Sequence, residues 1–171
     1  MNQKLKLRGK STETGEWVYG DLIQFPDTPA SFIIKQKDGP SSFTYAQLVI
    51  NNMVSVYPET VGQFTTLPDQ NGKKIWDGDI VRIDNLAVFN LTSNYNDTPA
   101  RGSCISEVKI IEGHTYVWLT PIIDGKKIRY GARLLLKGLP KYISRNVATG
   151  SVEVIGNIHD NPELLEEGAE E

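Results

Sequence analysis

The stretch from Glu59 to Asp84 constrains the fold of this chain more than any other part of the sequence. It holds two runs of β-branched and aromatic residues separated by the dipeptide Asn71-Gly72. Both of these residues tolerate positive φ, as a type I′ turn requires, and the twist of that turn matches a β-hairpin. Asp77-Gly78-Asp79 then makes a second bend. We therefore predict a strand, a tight turn and a second strand that is interrupted at the acidic bend.

The residues before this stretch alternate short apolar runs with turn residues, which is typical of β structure. Strands are predicted at 5–8, 16–25, 31–37 and 44–57. The first part of the 44–57 run also fits a short helix, but its β-branched residues favour a strand. Within the second run the large side chains are expected to be buried anchors: Trp17, Tyr19, Leu22 and Phe25.

The residues after the central stretch predict a small meander. Residues 92–102 are polar and contain Pro and Gly, so they are read as an exposed loop. Strands follow at 104–111, 115–123 and 126–136, joined by turns at Glu112-Gly113 and Asp124-Gly125. A last strand at 151–158 precedes a short helical turn, which Asn161 caps and Pro162 begins.

These elements predict a mostly β fold of 171 residues. We expect a small, partly open β-barrel, SH3-like in size, packed with an N-terminal β layer and followed by a short C-terminal helical turn. Residues 1–66 would form the N-terminal β-rich region and residues 67–171 the barrel lobe. A single continuous domain is the alternative.

Charge and cysteine content exclude several classes of protein. The net charge of −3 argues against a general polyanion binder, although a local basic face is still allowed. Cys104 is the only cysteine, so neither an intrachain disulfide nor a cysteine-based metal site can form. No apolar run approaches the ~18 residues of a membrane span, and the N-terminus lacks the apolar core of a secretory signal. We expect a protein that stays in the cytoplasm and does not enter a membrane.

The residues that most often carry chemistry have simpler structural explanations here. Asp77, Asp79 and the nearby Asp84 lack the ligand spacing of a calcium loop, and a tight turn with Gly78 at positive φ explains them better. His114 fits an exposed turn position, His159 fits a capping or surface role just before the C-terminal helical turn, and Cys104 fits a buried inert thiol. We also expect Trp17, Trp76 and Trp118 to anchor the core. No nucleotide-binding, nucleophile-elbow or zinc-protease motif is present, so we expect no catalytic residue, cofactor or metal.

A basic and aromatic stretch from residue 126 to 145 is the strongest candidate for a site. It has no acidic residue and contains Lys126, Lys127, Arg129, Tyr130, Arg133, Lys137, Lys141, Tyr142 and Arg145. On a continuous strand, Lys127, Arg129 and Arg133 would share one face. Such a surface can bind single-stranded nucleic acid through stacking and phosphate contacts. The alternative, favoured by the overall acidity, is that solvated lysines protect a strand from edge-to-edge pairing.

Four segments together resemble a known family. They are Trp17–Gly20, Glu59–Thr65 with Leu67 and Asp69, Asn71–Val81, and Val152–Leu165. In order and spacing they resemble the YopX family of phage and prophage proteins. Trp76 departs from that pattern, in which Tyr or Phe is usual, and residues 85–150 cannot be aligned to it. The resemblance implies a β-rich fold with a small barrel-like lobe and an origin in a phage or prophage of a bacterial host. It implies no established activity and no catalytic residues.

Two functions follow as hypotheses. The first is a non-enzymatic protein-interaction module that binds another protein or its own copies, since exposed strand edges can accept a partner strand. The second is a nucleic-acid-binding module that uses residues 126–145. An enzyme ranks behind both, because no acid–base or nucleophile arrangement can be assembled from the sequence.

Overall fold

A computed structural model of the chain describes residues 6–35, 40, 42–88, 100–128, 132–136, 143–144, 147–148 and 150–166. The described part is mostly β, as predicted, with two antiparallel sheets and one α-helix. Its strands do not close into a barrel. None of its helices has the length and apolarity needed to cross a membrane. The chain divides into two compact units, Met1–Phe64 and Thr65–Glu171.

The first unit is an antiparallel sheet with one helix. The strand order is β4-β3-β2-β1-β5, and β5 continues into the second unit. A 3₁₀ helix at Pro58–Thr60 precedes β5. The other elements are β1 (Leu7–Lys10), β2 (Trp17–Gln24), β3 (Ser31–Lys35), α1 (Tyr45–Asn52), β4 (Met53–Val56) and β5 (Gly62–Pro68).

The core of the first unit is built on Val18, Ile33 and Val56 rather than on aromatic residues. Successive side chains of a strand point to opposite faces, so burying Val18 turns its neighbours outward. Tyr19 is accordingly 51% exposed, as is Phe25 at the end of the strand. The prediction that these two aromatic residues are buried anchors is therefore wrong.

The helix α1 replaces the first part of the strand that was predicted at 44–57. Thr44 begins it with a capping box: its hydroxyl accepts a hydrogen bond from Gln47 N at 3.3 Å, and its N–H donates to Gln47 Oε1 at 2.9 Å. This reciprocal pair satisfies two main-chain groups at the helix start. The Thr-x-x-Gln pattern is the local signal that outweighs the β-branched residues. The remainder, β4, is a strand as predicted.

The second unit contains the remaining strands. It begins with the end of β5 and closes with a 3₁₀ helix at Pro162–Leu165. The strands are β6 (Lys74–Trp76), β7 (Asp79–Val88), β8 (Ala100–Ile111), β9 (His114–Leu119), β10 (Ile122–Ile123), β11 (Lys126–Lys127), β12 (Ala132–Leu135), β13 (Ile143–Ser144), β14 (Val147–Ala148) and β15 (Ser151–Asn157).

A long antiparallel ribbon of β7 and β8 organises this unit. Along β7 the partners are β15 and then β14, and along β8 they are β9 and β10. The register shifts between Ile83 and Leu86, where Asn85 takes a φ of 53°. Such a bulge bends a ribbon and increases its twist. The buried core lies on this ribbon and its partners, with fully buried residues such as Ile83, Cys104 and Val108.

The central hairpin forms between β5 and β6, but its turn differs from the prediction. Gly72 has a φ of 80°, whereas Asn71 is not at positive φ. Gly72 N donates to Asp69 O at 3.1 Å, and Asp69 N donates to Lys73 O at 2.7 Å. These bonds define a three-residue loop with glycine in the left-handed position, which is the next commonest hairpin connection after the type I′ turn. The Asp69 carboxylate favours it by accepting hydrogen bonds from Asn71 N and Lys73 N, each at 2.8 Å.

The two later turns do have positive φ at both central residues. Asp124 and Gly125 have φ values of 52° and 76°, as predicted. Glu112 and Gly113, with 51° and 76°, adopt the same conformation. A glutamate in this conformation is uncommon, so the hairpin geometry rather than residue preference determines this turn.

The predicted meander is present, with corrected strand ends. Strands β8, β9 and β12 pair in that order. The expected strand at 115–123 is divided at Thr120-Pro121, since proline has no N–H to donate to a ladder. The expected strand at 126–136 is not continuous either: β11 ends at Lys127, and β12 begins at Ala132 and pairs with β9 instead of β10. Of the loop expected at 92–102, Ala100–Gly102 belong to β8 and the rest lies outside the described residues.

The C-terminal elements follow the prediction closely. Strand β15 covers Ser151–Asn157, and Pro162 begins a 3₁₀ helix. Asn161 occupies the position before this helix, but its side chain makes no capping hydrogen bond. The capping role that was predicted for Asn161 is therefore wrong.

Candidate functional site

The acidic bend between β6 and β7 is a structural turn. Gly78 has a φ of 80°, as predicted. Asp77 Oδ1 accepts a hydrogen bond from Ile110 N at 2.8 Å, and Asp79 Oδ2 accepts one from Trp76 N at 2.8 Å. Both carboxylates therefore stabilise main-chain geometry. Among the residues that the structure describes, no three His, Cys, Asp or Glu side chains are grouped so that they could hold a metal ion.

The histidines and the cysteine also lie in structural positions. His114 Nδ1 is 3.0 Å from Glu112 O in an exposed turn, and His159 N donates to Asn157 Oδ1 at 3.0 Å. Cys104 is fully buried, which confirms the prediction of a buried thiol. Burial raises the pKa of this thiol above its ordinary value. A thiol that keeps its proton at neutral pH is a poor nucleophile.

The structure describes only part of the basic stretch at 126–145. Lys126 is exposed in β11, and Lys127 Nζ donates to Leu165 O at 3.1 Å. Arg133 lies in β12, which is separate from β11, so the prediction of one continuous strand through this stretch is wrong. The other residues of this prediction lie outside the described part of the chain: Arg129, Tyr130, Lys137, Lys141, Tyr142 and Arg145.

Arg133 instead lies beside Trp118. The two residues are cross-strand partners on β12 and β9, and Trp118 is 49% exposed. The prediction that Trp118 anchors the core is therefore wrong. Strand β9 buries Val117 and Leu119 instead, and the period of two turns Trp118 to the outer face. Trp76, by contrast, is buried as predicted.

A second row of side chains extends this outer face. Tyr116 of β9 pairs with Lys109 of β8 on one side and with Leu135 of β12 on the other. Lys109 Nζ lies 3.3 Å from Glu107 Oε2 in an ion pair. Together these strands surround a surface depression of about 330 Å³. We call this surface the Trp118 face, and the residues that line it include Glu107, Lys109, Ile111, Tyr116, Trp118 and Arg133.

The main chain beneath the Trp118 face is held in place by a buried hydroxyl. Trp118 N donates to Ser106 Oγ at 2.9 Å, and Ser106 is buried. The hydroxyl in turn donates to Glu107 O at 3.2 Å. The main chain at Trp118 is thus tied to β8 through the side chain of Ser106.

The chemistry of the Trp118 face combines apolar walls with hydrogen-bond donors. Tyr116, Trp118 and Ile111 supply the apolar surface. Within the described part of the chain, the guanidinium of Arg133 has no ion-pair partner, whereas Glu107 is already paired with Lys109. The surface therefore presents one cation that is not neutralised, next to a half-exposed indole.

Sequence reasoning missed this face although a signal for it was present. In the run His114–Leu119, every second residue is of a type that strands bury: Thr115, Val117 and Leu119. Their alternation places Tyr116 and Trp118 on the opposite face. The hydrophobicity of tryptophan had outweighed the period of the strand in the prediction.

Comparison with known proteins matches the chain to a family model and to solved structures. The family model described as "YopX protein" matches residues 6–166. A chain described as protein EF1440 from Enterococcus faecalis, known from a crystal structure, is 20% identical, with a TM-score of 0.40. That match covers 95% of this chain and 98% of the other. No curated protein matches the chain.

Proposed function

This chain belongs to the YopX family, and from that premise we propose that it is a non-enzymatic protein-interaction module that binds through the Trp118 face. The observation that carries the proposal is Trp118, half exposed beside Arg133 at a depression of about 330 Å³. Tryptophan and arginine are enriched among the residues that dominate binding energy at protein interfaces. The exposed half of this side chain is therefore available to a partner.

The area of Trp118 left in water is large enough to matter for binding. Aromatic side chains bury about 150–250 Å² each, so the 49% exposed fraction of Trp118 amounts to roughly 100 Å². At about 25 cal/mol per Å², covering it contributes on the order of 2–3 kcal/mol. This is the contribution typical of a residue that dominates a binding surface.

The charge of the Trp118 face supports a protein partner over a nucleic acid. Its described charges are Arg133, Lys109 and Glu107, and the last two neutralise each other. Nucleic-acid binding draws its affinity from several phosphate contacts at once, and the whole chain carries a net charge of −3. The nucleic-acid alternative retains one supporting observation, the pair Tyr116 and Trp118, on which bases can stack.

The experiment uses the full chain as bait in a host-cell lysate and then measures each captured protein in purified form. Calorimetry compares the parent with Trp118→Ala and with Tyr45→Ala. Tyr45 is a matched control, an aromatic residue 82% exposed on α1. We expect Trp118→Ala to weaken binding at least 30-fold, as a loss of about 2 kcal/mol predicts, and Tyr45→Ala to leave it unchanged.

Equal binding by all three proteins would refute the proposal. The partner can also be a second copy of the chain. Light scattering of the purified chain tests this form of the proposal by measuring its molar mass in solution. Labelled single- and double-stranded oligonucleotides test the nucleic-acid alternative, which requires binding that weakens steeply with salt and depends on Lys126, Lys127 and Arg133.

The proposal includes a partly open barrel for the second unit. The support is the bulged ribbon of β7 and β8, which has strands paired along both of its edges and a single buried core. Bulges of this kind curve sheets at the rims of barrels. An experimental structure that shows a flat sheet here would contradict this part of the proposal.

A phage or prophage origin and action in the cytoplasm of a bacterial host complete the proposal. Their support is the family resemblance carried by Glu59–Thr65, Asn71–Val81 and Val152–Leu165. The neighbouring genes test both: a block of phage genes is expected around this one, and a housekeeping operon would contradict the origin.

A further inference from the structure

We infer that the partner segment bound by the Trp118 face is an acidic peptide, with a carboxylate next to a large apolar side chain. This inference rests on the proposed function, and it specifies the chemistry of the partner. The carboxylate would pair with the guanidinium of Arg133, and the apolar side chain would occupy the depression against Trp118 and Tyr116.

The first support is the sign of the charge that the Trp118 face leaves unbalanced. Arg133 and Lys109 are two cations, and Glu107 is the one carboxylate among the described lining residues. Because Glu107 lies 3.3 Å from Lys109, an arriving cation would have to displace an existing pair. An arriving anion meets Arg133 without displacing anything, so the face selects for negative charge.

The second support is the geometry of the cation and its donors. A guanidinium presents its N–H groups in a planar fork that fits a carboxylate in a bidentate pair. The backbone at Arg133 is held by pairing with β9, directly opposite Trp118. Cross-strand neighbours have Cβ atoms about 4.5–5.5 Å apart. The ligand's charged and apolar groups must therefore be close to each other in sequence.

The third support is the size of the depression. Its volume of about 330 Å³ lies near the lower end of the roughly 300–1,000 Å³ range of ligand pockets. This space accommodates one or two side chains but not a folded element. An apolar side chain from a peptide fills it, whereas the acidic group stays at the edge beside Arg133.

The test is fluorescence anisotropy with labelled ten-residue peptides and the full chain. Four peptides share a Gly/Ser background: Asp beside Leu, Asn beside Leu, Lys beside Leu, and Asp without Leu. The proteins are the parent, Arg133→Gln, Trp118→Ala and Lys126→Gln. The last variant removes an exposed cation from β11, away from the Trp118 face, and is the matched control.

The expected result is that the Asp–Leu peptide binds at least ten-fold more tightly than the Asn–Leu peptide. That difference should disappear in Arg133→Gln and persist in Lys126→Gln. Binding of the Asp–Leu peptide should also weaken in Trp118→Ala and with the peptide that lacks Leu. Circular dichroism verifies that each variant is folded.

Other outcomes separate this inference from the proposed function. Suppose that the Asn–Leu peptide binds as well as the Asp–Leu peptide and that Trp118→Ala weakens both. The inference of an acidic partner is then wrong, whereas the proposal of binding through the Trp118 face is supported. If none of the peptides binds, the inference is wrong, and the lysate experiment still decides the proposed function. If oligonucleotides bind in a Trp118-dependent manner and the peptides do not, the acidic-peptide inference and the proposed protein-interaction function are both wrong. The nucleic-acid alternative then replaces them.

Discussion

The carboxylate of Asp69 accepts a hydrogen bond from Val154 N, which lies 3.1 Å away and 85 positions later in the chain. The same carboxylate accepts the N–H groups of Asn71 and Lys73 at 2.8 Å each. One buried side chain therefore joins the turn of the β5–β6 hairpin to strand β15. Buried carboxylates of this kind are tolerated because several N–H donors compensate for the lost hydration.

Replacing Asp69 should destabilise the chain strongly. Asp69→Ala leaves three main-chain N–H groups without their acceptor: Val154 N is buried, whereas Asn71 N and Lys73 N belong to exposed residues. A buried unsatisfied group costs about 1–3 kcal/mol. We expect the free energy of unfolding to fall by about 1–3 kcal/mol, measured by urea denaturation. Asp27→Ala, at an exposed position, is the control and should change it by less than about 0.5 kcal/mol. Similar losses for the two variants would disprove the role of Asp69.

Gly102 should not tolerate a side chain. A Cβ added there would overlap the carbonyl oxygen of Ile122, the residue next to Pro121 on the paired strand β10. Since the obstacle is main chain, it cannot move aside as a flexible side chain would. Gly102→Ala should lower the free energy of unfolding by about 1–3 kcal/mol, whereas Ser103→Ala, at the neighbouring position, should have a small effect. A Gly102→Ala variant with the stability of the parent would show that β8 and β10 are not so close.

The two tryptophans Trp76 and Trp118 should differ in what they contribute to stability. Trp76 is 5% exposed and Trp118 is 49% exposed. Removing a buried aromatic side chain costs about 3–5 kcal/mol, because a cavity remains. We expect Trp76→Ala to fall in that range and Trp118→Ala to cost less, about 2 kcal/mol, because only about half of its side chain is buried. If Trp118→Ala loses as much stability as Trp76→Ala, Trp118 contributes to the core as much as Trp76 does, and this prediction is wrong.

Cys104 should be unreactive in the folded chain. Burial raises the pKa of its thiol, so the folded state holds the proton at a pH where the unfolded state has already released it. A thiol reagent at pH 8 should label the chain only after denaturation. Rapid labelling of the native protein would contradict the burial.

The same shift in pKa sets a direction for stability at alkaline pH. Below the ordinary pKa of the thiol both states are protonated, and the contribution of Cys104 does not vary with pH. As pH rises through and beyond that value, the unfolded state ionises first and becomes more favourable. The chain should therefore lose stability at alkaline pH, and Cys104→Ala should reduce the slope of that loss in denaturation curves.

Much of the fold could be predicted from local patterns. The turns at Asp77-Gly78 and Asp124-Gly125 were identified by residue type, because glycine at positive φ carries a local signal. The final strand and the position of Pro162 followed from the same kind of reasoning. These features are determined within a few residues, so a single sequence contains them.

Other features of the fold depend on residues that are distant in the chain, so local sequence patterns do not predict them. The Asn71-Gly72 turn takes a longer loop than its residue types favour, because the Asp69 carboxylate accepts hydrogen bonds from Asn71 N and Lys73 N, and this carboxylate is also held by the distant Val154 N. The bulge near Asn85 depends on how β7 pairs with β8. Asparagine tolerates the positive φ found there, but this preference alone does not locate a bulge. The alternation of buried residues along β9 predicts that Trp118 points outward. In the prediction this alternation was given less weight than the hydrophobicity of tryptophan.

The pairing of β15 with β7 has a consequence for the order of events during synthesis. A ribosome delivers β15 after every other strand of its unit, and Val152 and Val154 are core residues. Until they arrive, the nascent chain holds an open core and an Asp69 carboxylate without its distant donor. The core of this unit is therefore completed only after β15 has been synthesised and has paired with β7.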